Sequence, residues 1–193
     1  KAISDFSPIT LKEMDGVKLM NRTDTKFSFR LNQLEPLLKK MQAFYKVLEV
    51  NKERIQAYNS LYFDTNDRKF YIDHHNSRVN RNKIRFREYV GSGLTFLEVK
   101  LKNNKGKTIK KRVKVPKISS QLSAEQKAFI EKIIGRKLEV SAKQSIRFSR
   151  ITFVHKEQKE RLTIDVDLSF KHDEKKGDLK DIVTNKNNII KSI

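Results

Sequence analysis

The sequence predicts an α+β protein built on an antiparallel sheet. Three observations lead to this fold class: strand-like alternation of apolar and polar residues, short turn-like linkers, and a few amphipathic segments with helix start signals. The alternating segments are residues 25–30, 57–65, 82–90, 94–102, 107–116, 145–154 and 161–170. The linkers 91–93 and 103–107 are short, so we expect the three middle strands to form an antiparallel meander.

Two helices are expected in the first quarter of the chain. Ser7–Pro8 predicts the start of a short amphipathic helix over residues 9–20, because proline is tolerated in the first turn. Asn32 and Glu35 have the spacing of a capping box that would open a second helix over residues 33–45.

A third helix is expected later in the chain. Ser123 and Gln126 repeat the capping-box spacing before residues 124–134, and Gly135 is placed to end that helix. The pair His74–His75 is interpreted as part of a loop, since adjacent strand residues face opposite ways and no cysteine accompanies them.

Composition limits the partners of the chain. Its 193 residues include 43 Lys and Arg against 23 Asp and Glu, a formal charge of +20. Such a charge attracts polyanions, so nucleic acid, a membrane surface and a phosphate-rich molecule or polymer are all candidates. The chain has no cysteine, which excludes disulfides and thiolate metal sites and fits a cytoplasmic protein.

The length suits one domain with a sizeable core, and we expect a single domain over residues 1–193. No apolar run approaches 18 residues and no signal peptide is recognisable, so we expect no membrane segment in this chain. The sequence begins at Lys1 without an initiator methionine, as an excerpt of a longer protein would.

Each predicted strand has one charged face. Lys83, Arg85 and Arg87 alternate with Ile84 and Phe86, and the neighbouring strands repeat the pattern. The other same-face charged sets are Glu98, Lys100 and Lys102; Lys110, Arg112 and Lys114; and Arg161, Asp165 and Asp167. Two interpretations stay open: the charged faces lie in water, or the sheet closes with them inward around an anion.

The distribution of charge favours an inward face. The segment 99–117 holds nine Lys or Arg and no acid, whereas a face meant only for solubility usually mixes signs. The few acids on the charged faces are Glu98, Asp165 and Asp167, and carboxylates among phosphate-binding cations suit a divalent metal.

Five motifs occurring in order carry a family resemblance. They are RTDTKF at 22–27, LYFDTNDRKFYIDHHN at 61–76, KIRFREY at 83–89, FLEVKLKNNKGKTIKKR at 96–112 and RLTIDVDL at 161–168. The set resembles the catalytic domain of the vacuolar transporter chaperone (VTC) complex, as found in stand-alone bacterial polyphosphate polymerase domains. That family belongs to the triphosphate tunnel metalloenzymes, a CYTH-like superfamily. The resemblance implies a closed antiparallel β-barrel with a basic lumen and flanking helices.

The resemblance also implies an activity and residue roles. The expected enzyme is an ATP-dependent polyphosphate polymerase that transfers the terminal phosphoryl group of ATP to a growing polyphosphate chain, with Mn²⁺ or Mg²⁺. Its expected partners are ATP and polyphosphate and not nucleic acid. The implied catalytic residues are Lys26, Arg85 and Arg87. The implied phosphate-binding residues are Lys83, Lys100, Lys110, Arg112, Arg150 and Arg161.

The sequence departs from the family pattern at two places. A metal-binding Glu is expected on the last strand, but the best register puts Thr184 there, so a different register, a strand beyond this sequence, or Glu98, Asp165 and Asp167 remain the alternatives for the metal. Hydrolytic tunnel enzymes carry E-x-E-x-K on the first strand, whereas this chain has Arg22, Asp24 and Lys26. Fewer carboxylates favour holding phosphate over activating water, so a polymerase or a non-catalytic polyphosphate or nucleotide binder is preferred to a triphosphatase.

Overall fold

The computed structural model describes residues 2–15, 24–104, 108–172, 181–183 and 188–192. Strands account for about half of this part of the chain. They are β1 (Pro8–Ile9), β2 (Lys26–Arg30), β3 (Tyr45–Leu48), β4 (Gln56–Asp64), β5 (Arg81–Tyr89), β6 (Leu94–Lys102), β7 (Thr108–Val115), β8 (Ser141–His155), β9 (Arg161–His172), β10 (Asp181–Val183) and β11 (Asn188–Ser192).

Four α-helices lie between the strands in the described residues. They are α1 (Leu11–Asp15), α2 (Leu34–Met41), α3 (Lys69–His75) and α4 (Ala124–Ile134). None of them is long and apolar enough to cross a membrane. With these helices beside the strands, the predicted α+β class is confirmed.

The chain forms two compact units. The first comprises Lys1–Ala57, Phe148–Ser169 and Val183–Ile193, and the second comprises Tyr58–Arg147 and Phe170–Ile182. In the first unit β2 pairs with β11, β11 with β9, and β3 with both β1 and the end of β8. In the second unit β4, β5, β6 and β7 pair in order, all antiparallel, so the predicted meander is confirmed.

Closure of the sheet is where the structure corrects the prediction. The described strands follow the order β2-β11-β9-β8-β4-β5-β6-β7, which ends at β2 and β7 without pairing these two. Among the described strands, the sheet is therefore open. Alternation within a strand reports which residues share a face, whereas closure depends on strand number, tilt and stagger, and no local pattern contains those quantities.

Each unit has its own apolar core. In the first unit Val47, Phe153 and Ile164 are fully buried and pack with Phe6 of the N-terminal segment; the rings of Phe6 and Phe153 lie 4.9 Å apart. In the second unit the apolar faces of β5 and β6 pack against α4. The fully buried members there are Ile84, Phe86, Leu97, Val99 and Ile130.

The predicted cap of α4 is confirmed. The backbone N–H of Gln126 donates to Ser123 Oγ at 3.2 Å, and Ser123 N–H donates to Gln126 Oε1 at 3.0 Å. Gly135 ends the helix with a left-handed φ of 81°, and its N–H donates to the carbonyl of Glu131 at 2.7 Å. The sequence signals and the structure agree here because the cap is made by residues close in sequence.

Helices form at both earlier positions, but their predicted caps are wrong. Pro8 belongs to β1, and the box that opens α1 is made by Thr10 and Glu13, whose carboxylate accepts from Thr10 N–H at 2.8 Å. The box near α2 lies two residues earlier than predicted and opens a short 3₁₀ helix, Leu31–Gln33, in which Gln33 Oε1 accepts from the N–H of Arg30 at 2.9 Å. The helix α2 follows at Leu34, one residue after its predicted start.

Candidate anion-binding site

The polar face of β5 is the centre of the candidate site. Ile84 and Phe86 point into the core that α4 covers, so Lys83, Arg85 and Arg87 lie on the opposite face, all half-buried. The strand register continues this face across β6 and β7. It aligns Lys83 with Lys100 and Lys110, Arg85 with Glu98 and Arg112, and Arg87 with Phe96 and Lys114.

Like charges stand directly opposite one another in one of these rows. Lys83 faces Lys100 across one strand pair, and Lys100 faces Lys110 across the next. Side chains so aligned have Cβ atoms about 5 Å apart, and like charges at that separation destabilise a sheet. A bound polyanion would remove this repulsion, so the row has the composition of an anion-binding surface.

Arg85 is held in a fixed orientation. Its Nε and Nη2 donate to Glu98 Oε2 at 2.8 and 2.7 Å, and its Nη1 donates to the hydroxyl oxygen of Tyr62 at 2.6 Å. Burial acts to lower the pKa of Arg85, but its interactions with Tyr62 and Glu98 outweigh burial and raise that pKa. The guanidinium is therefore a permanent, positioned cation.

Arg87 lies in a different environment from Arg85. Its Nε donates to Ser60 Oγ at 3.3 Å, and its guanidinium carbon lies 5.3 Å from the centre of the Tyr58 ring. Burial and the adjacent positive charge of Arg85 lower the pKa of Arg87. A cation desolvated beside another cation gains most from an incoming anion.

Aromatic rings continue the polar face beyond Arg87. Tyr58 contacts Tyr89 at a centroid distance of 5.2 Å, and Tyr89 contacts Phe96 at 5.9 Å. The guanidinium of Arg112 lies 4.5 Å from the centre of the Phe96 ring, a cation–π contact. The two arginines at this end are thus positioned by ring faces.

The second unit thereby brings together seven of the predicted site residues. They are Lys83, Arg85, Arg87, Glu98, Lys100, Lys110 and Arg112. Lys100, Lys110 and Arg112 are exposed, whereas the three β5 cations and Glu98 are half-buried.

The other predicted site residues lie in the first unit. Arg150 and Asp165 form a bidentate ion pair, with Nε to Oδ1 at 2.6 Å and Nη2 to Oδ2 at 2.7 Å. Arg161 is half-buried and Lys26 is exposed on β2. At Asp167 the backbone takes a left-handed φ of 53°, so the predicted alternation of β9 is interrupted there.

The carboxylates proposed for a metal do not form a metal centre in the described residues. No group of three His, Asp or Glu side chains in that part of the chain is placed to hold an ion. Glu98 accepts from Arg85, and both oxygens of Asp165 accept from Arg150. The observed role of these two acids is to orient guanidinium groups. Thr184, the position of the expected metal ligand, lies outside the described residues.

Sequence reasoning missed one neighbour of the site, Ser60, and one helix. Tyr62 and Ser60 on β4 contact Arg85 and Arg87, and the same-face spacing of Tyr58, Ser60 and Tyr62 was the available signal. His74 and His75 lie on α3 rather than in a loop. Without the pairing of β4 with β5, the sequence does not reveal which β4 residues face the arginines.

A comparison with protein families identifies the chain. The model of the VTC domain matches residues 21–192, which is most of the sequence. This chain belongs to the VTC domain family. The family resemblance of the motifs is thus confirmed.

Solved structures are similar to this VTC domain at low sequence identity. A putative adenylate cyclase from Vibrio parahaemolyticus is 11% identical with a TM-score of 0.50, and the match covers 90% of this chain and 77% of that one. A putative adenylyl cyclase from Hippeastrum, described as having a dominant triphosphatase activity, is 13% identical with a TM-score of 0.46, covering 88% and 78%. No curated protein matches the sequence. The Vibrio structure supports the fold assignment alone.

Proposed function

We propose that this VTC domain is an ATP-dependent polyphosphate polymerase. In the proposed reaction a terminal oxygen of polyphosphate attacks the γ-phosphorus of ATP, the bond to the β-phosphate oxygen breaks, and ADP leaves. Membership of the VTC domain family supports a phosphoryl-handling role. The observation that carries the proposal is the β5–β6–β7 face, where aligned cations outnumber acids and two arginines are half-buried and positioned.

The residues of this face suit phosphoryl transfer because that chemistry depends on positioning and on neutralising charge. Arg85, oriented by Glu98 and Tyr62, presents a planar donor fork suited to phosphate oxygens. Arg87 supplies a second planar set of donors. The flexible side chains of Lys83, Lys100 and Lys110 supply positive charges that can keep contact with the phosphates as the polyphosphate chain moves. The family-implied phosphate-binding roles of Lys26, Arg150 and Arg161 remain predictions.

The first experiment measures turnover and identifies its products. Purified protein is incubated with ATP and Mn²⁺ or Mg²⁺, and we expect long polyphosphate together with ADP. ADP and inorganic phosphate without polymer would make the protein a triphosphatase.

Arg87→Ala directly tests the cation face, by which we mean the aligned Lys and Arg side chains of β5, β6 and β7. We expect ATP and inorganic triphosphate to bind about 10- to 100-fold more weakly, since a charged hydrogen-bond donor to phosphate is removed, while the circular dichroism spectrum is unchanged. The matched control is Arg136→Ala, which removes an exposed arginine just after α4. Equal affinity of Arg87→Ala and wild type would place Arg87 outside the anion site.

A polyphosphate-binding domain without turnover is the second candidate function. It is favoured by the ion pairs of Glu98 and Asp165, which occupy the carboxylates proposed for a metal. Tight polyphosphate binding with no product under any divalent metal would select it. Binding of DNA or RNA that falls steeply with salt, in preference to polyphosphate, would contradict both candidates.

A further inference from the structure

Strand β7 is an edge of the sheet in the second unit. Among the described strands it pairs with β6 on one side, and the ladder does not continue on its other side. Seven of its eight residues, 108–114, are exposed, and Val115 is buried. Eight extended residues span about 27 Å. The backbone N–H and C=O groups along such an edge are a template for pairing with another strand.

One face of β7 is basic. Lys110, Arg112 and Lys114 continue the cation face, and the strand as a whole has four Lys or Arg residues and no acid. Lysine on an edge strand opposes pairing with unwanted strands, and like charges directly opposite one another destabilise a sheet. The same charges favour a strand that carries acids, because specificity combines attraction to one partner with repulsion of the others.

The other face of β7 carries exposed apolar side chains. The register aligns Val113 with Leu97 and Lys111 with Val99. Leu97 and Val99 are buried, whereas Val113 is 38% exposed and Ile109 is 44% exposed. The apolar face of the sheet thus continues onto β7 and is left partly in water there. An added strand with apolar side chains on this face would remove that area from water.

The charges of β7 disfavour a second copy of this chain as the added strand. Two β7 strands paired antiparallel near their centres would set Lys111 opposite Arg112, Lys111 opposite itself, or Lys110 opposite Lys114, depending on the register. Each of these pairs is destabilising. A parallel pair in register would bring every cation close to its own copy.

We propose that β7 is a docking edge for an extended, acidic segment of another protein, which adds to the sheet as an antiparallel strand. Acidic side chains of the segment lie opposite the four cations of β7, and apolar side chains lie opposite Ile109 and Val113. From the residue opposite Lys114 to the residue opposite Ile109, the segment reads acid, apolar, acid, acid, acid, apolar. Docking at β7 does not require the proposed polymerase activity.

Synthetic peptides test the side-chain pattern. Fluorescence anisotropy at about 0.15 M sodium chloride measures the affinity of the protein for the labelled peptide SGEVEEEVGS, whose six central residues follow the pattern. The control peptide SGEEVVEEGS has the same composition and charge in a different order. We expect the first peptide to bind about tenfold more tightly, because the reordered peptide loses several favourable cross-strand pairs.

Methylated peptides test the backbone pairing. Two versions of SGEVEEEVGS carry N-methyl groups on alternate residues, one version on each alternate set. In an antiparallel pair only one of these sets points its N–H groups at the neighbouring strand. We expect one version to bind about tenfold or more weakly, since backbone hydrogen bonds are lost, and the other to bind as the unmodified peptide does.

Lys111→Glu tests the location on the protein, because Lys111 is exposed and lies on the opposite side of β7 from the cation face. We expect it to bind SGEVEEEVGS about 3- to 10-fold more weakly, since an attractive cross-strand pair becomes a repulsive one. The matched control is Lys127→Glu, at an exposed lysine of α4, which changes the net charge equally and should bind the peptide as wild type does.

Three results would overturn the docking edge while leaving the proposed function intact. They are no binding of SGEVEEEVGS, equal binding of the two methylated versions, and equal affinities of Lys111→Glu and Lys127→Glu for the peptide. Equal binding of the patterned and reordered peptides would likewise reduce the interaction to attraction by net charge. Sedimentation of the protein alone should show no self-association through β7. A dimer whose stability Lys111→Glu changes would make a second copy the occupant and overturn the proposal.

Discussion

At the scale of single residues, Glu98 is the acid that balances the centre of the cation face. It stands opposite Arg85 on one side and Arg112 on the other, and it accepts two donors from Arg85. We expect Glu98→Gln to lower the free energy of unfolding by about 1–3 kcal/mol, because a largely buried guanidinium loses its charged partner. Urea denaturation measures the change, and Glu157→Gln, at an exposed acid, is the control.

Ligand binding supplies the second half of this test. Inorganic triphosphate should restore more stability to Glu98→Gln than to wild type, since the added anion replaces the missing carboxylate. If Glu98→Gln has the wild-type midpoint of urea denaturation without ligand, and triphosphate stabilises the two proteins equally, Glu98 does not neutralise the positive charge of the site.

The residues of the cation face were largely predictable from the sequence, whereas the side chains that contact the site's arginines were not. The alternation of Lys83, Arg85 and Arg87 with Ile84 and Phe86 identifies both faces of β5, because the pattern needs only the period of a strand. The contacts of Arg85 with Tyr62 and of Arg150 with Asp165 depend on the register between strands. Register is a non-local quantity, so the sequence placed Asp165 with a metal where the structure pairs it with an arginine.

At the scale of elements, α3 depends on one buried carboxylate. Asp64 is 7% exposed and accepts the N–H groups of Thr65, Phe70 and Tyr71, so it fixes the first turn of α3 to the end of β4. We expect Asp64→Ala to destabilise the protein by about 2 kcal/mol, since buried backbone donors lose their acceptor. Glu157→Ala, at an exposed acid outside α3, should change stability by less than about 0.5 kcal/mol.

Thermal unfolding followed by circular dichroism compares these two variants. Equal stability of the Asp64→Ala and Glu157→Ala variants would mean that core packing of Phe70, rather than the carboxylate, holds the helix in place.

The predicted helix α4 and the missed helix α3 differ in how far their capping residues lie from the backbone groups that they bond. Ser123 and Gln126 lie three residues apart and make the cap that their spacing predicts. Asp64 reaches forward six and seven residues to Phe70 and Tyr71, across a turn in which Arg68 has a left-handed φ of 55°. No standard capping pattern has that spacing, so the sequence does not predict α3, and the pair His74–His75 is interpreted as part of a loop.

At the scale of the whole molecule, the excess of positive charge raises the question of specificity. A net charge of +20 attracts any polyanion, so composition alone cannot separate a phosphate site from a surface that binds nucleic acid. The charge also opposes folding through self-repulsion, which added salt screens over about 10 Å at 0.1 M. The sequence therefore predicts an anionic partner, and only the aligned rows of β5, β6 and β7 indicate a localised site.

The last prediction separates screening from binding. Sodium chloride should raise the melting temperature gradually, because it weakens repulsion between all the cations. Inorganic triphosphate at equal ionic strength should raise the melting temperature further. At a concentration one hundred times its dissociation constant, it should add about 2.7 kcal/mol to the free energy of unfolding. Arg87→Ala, with 10- to 100-fold weaker binding, should keep only about 0.4–1.4 kcal/mol of that additional stabilisation while keeping the response to sodium chloride, whereas Arg136→Ala should keep both. If triphosphate acts no more strongly than sodium chloride at equal ionic strength, the charge is a general surface property and the β5 face holds no specific anion.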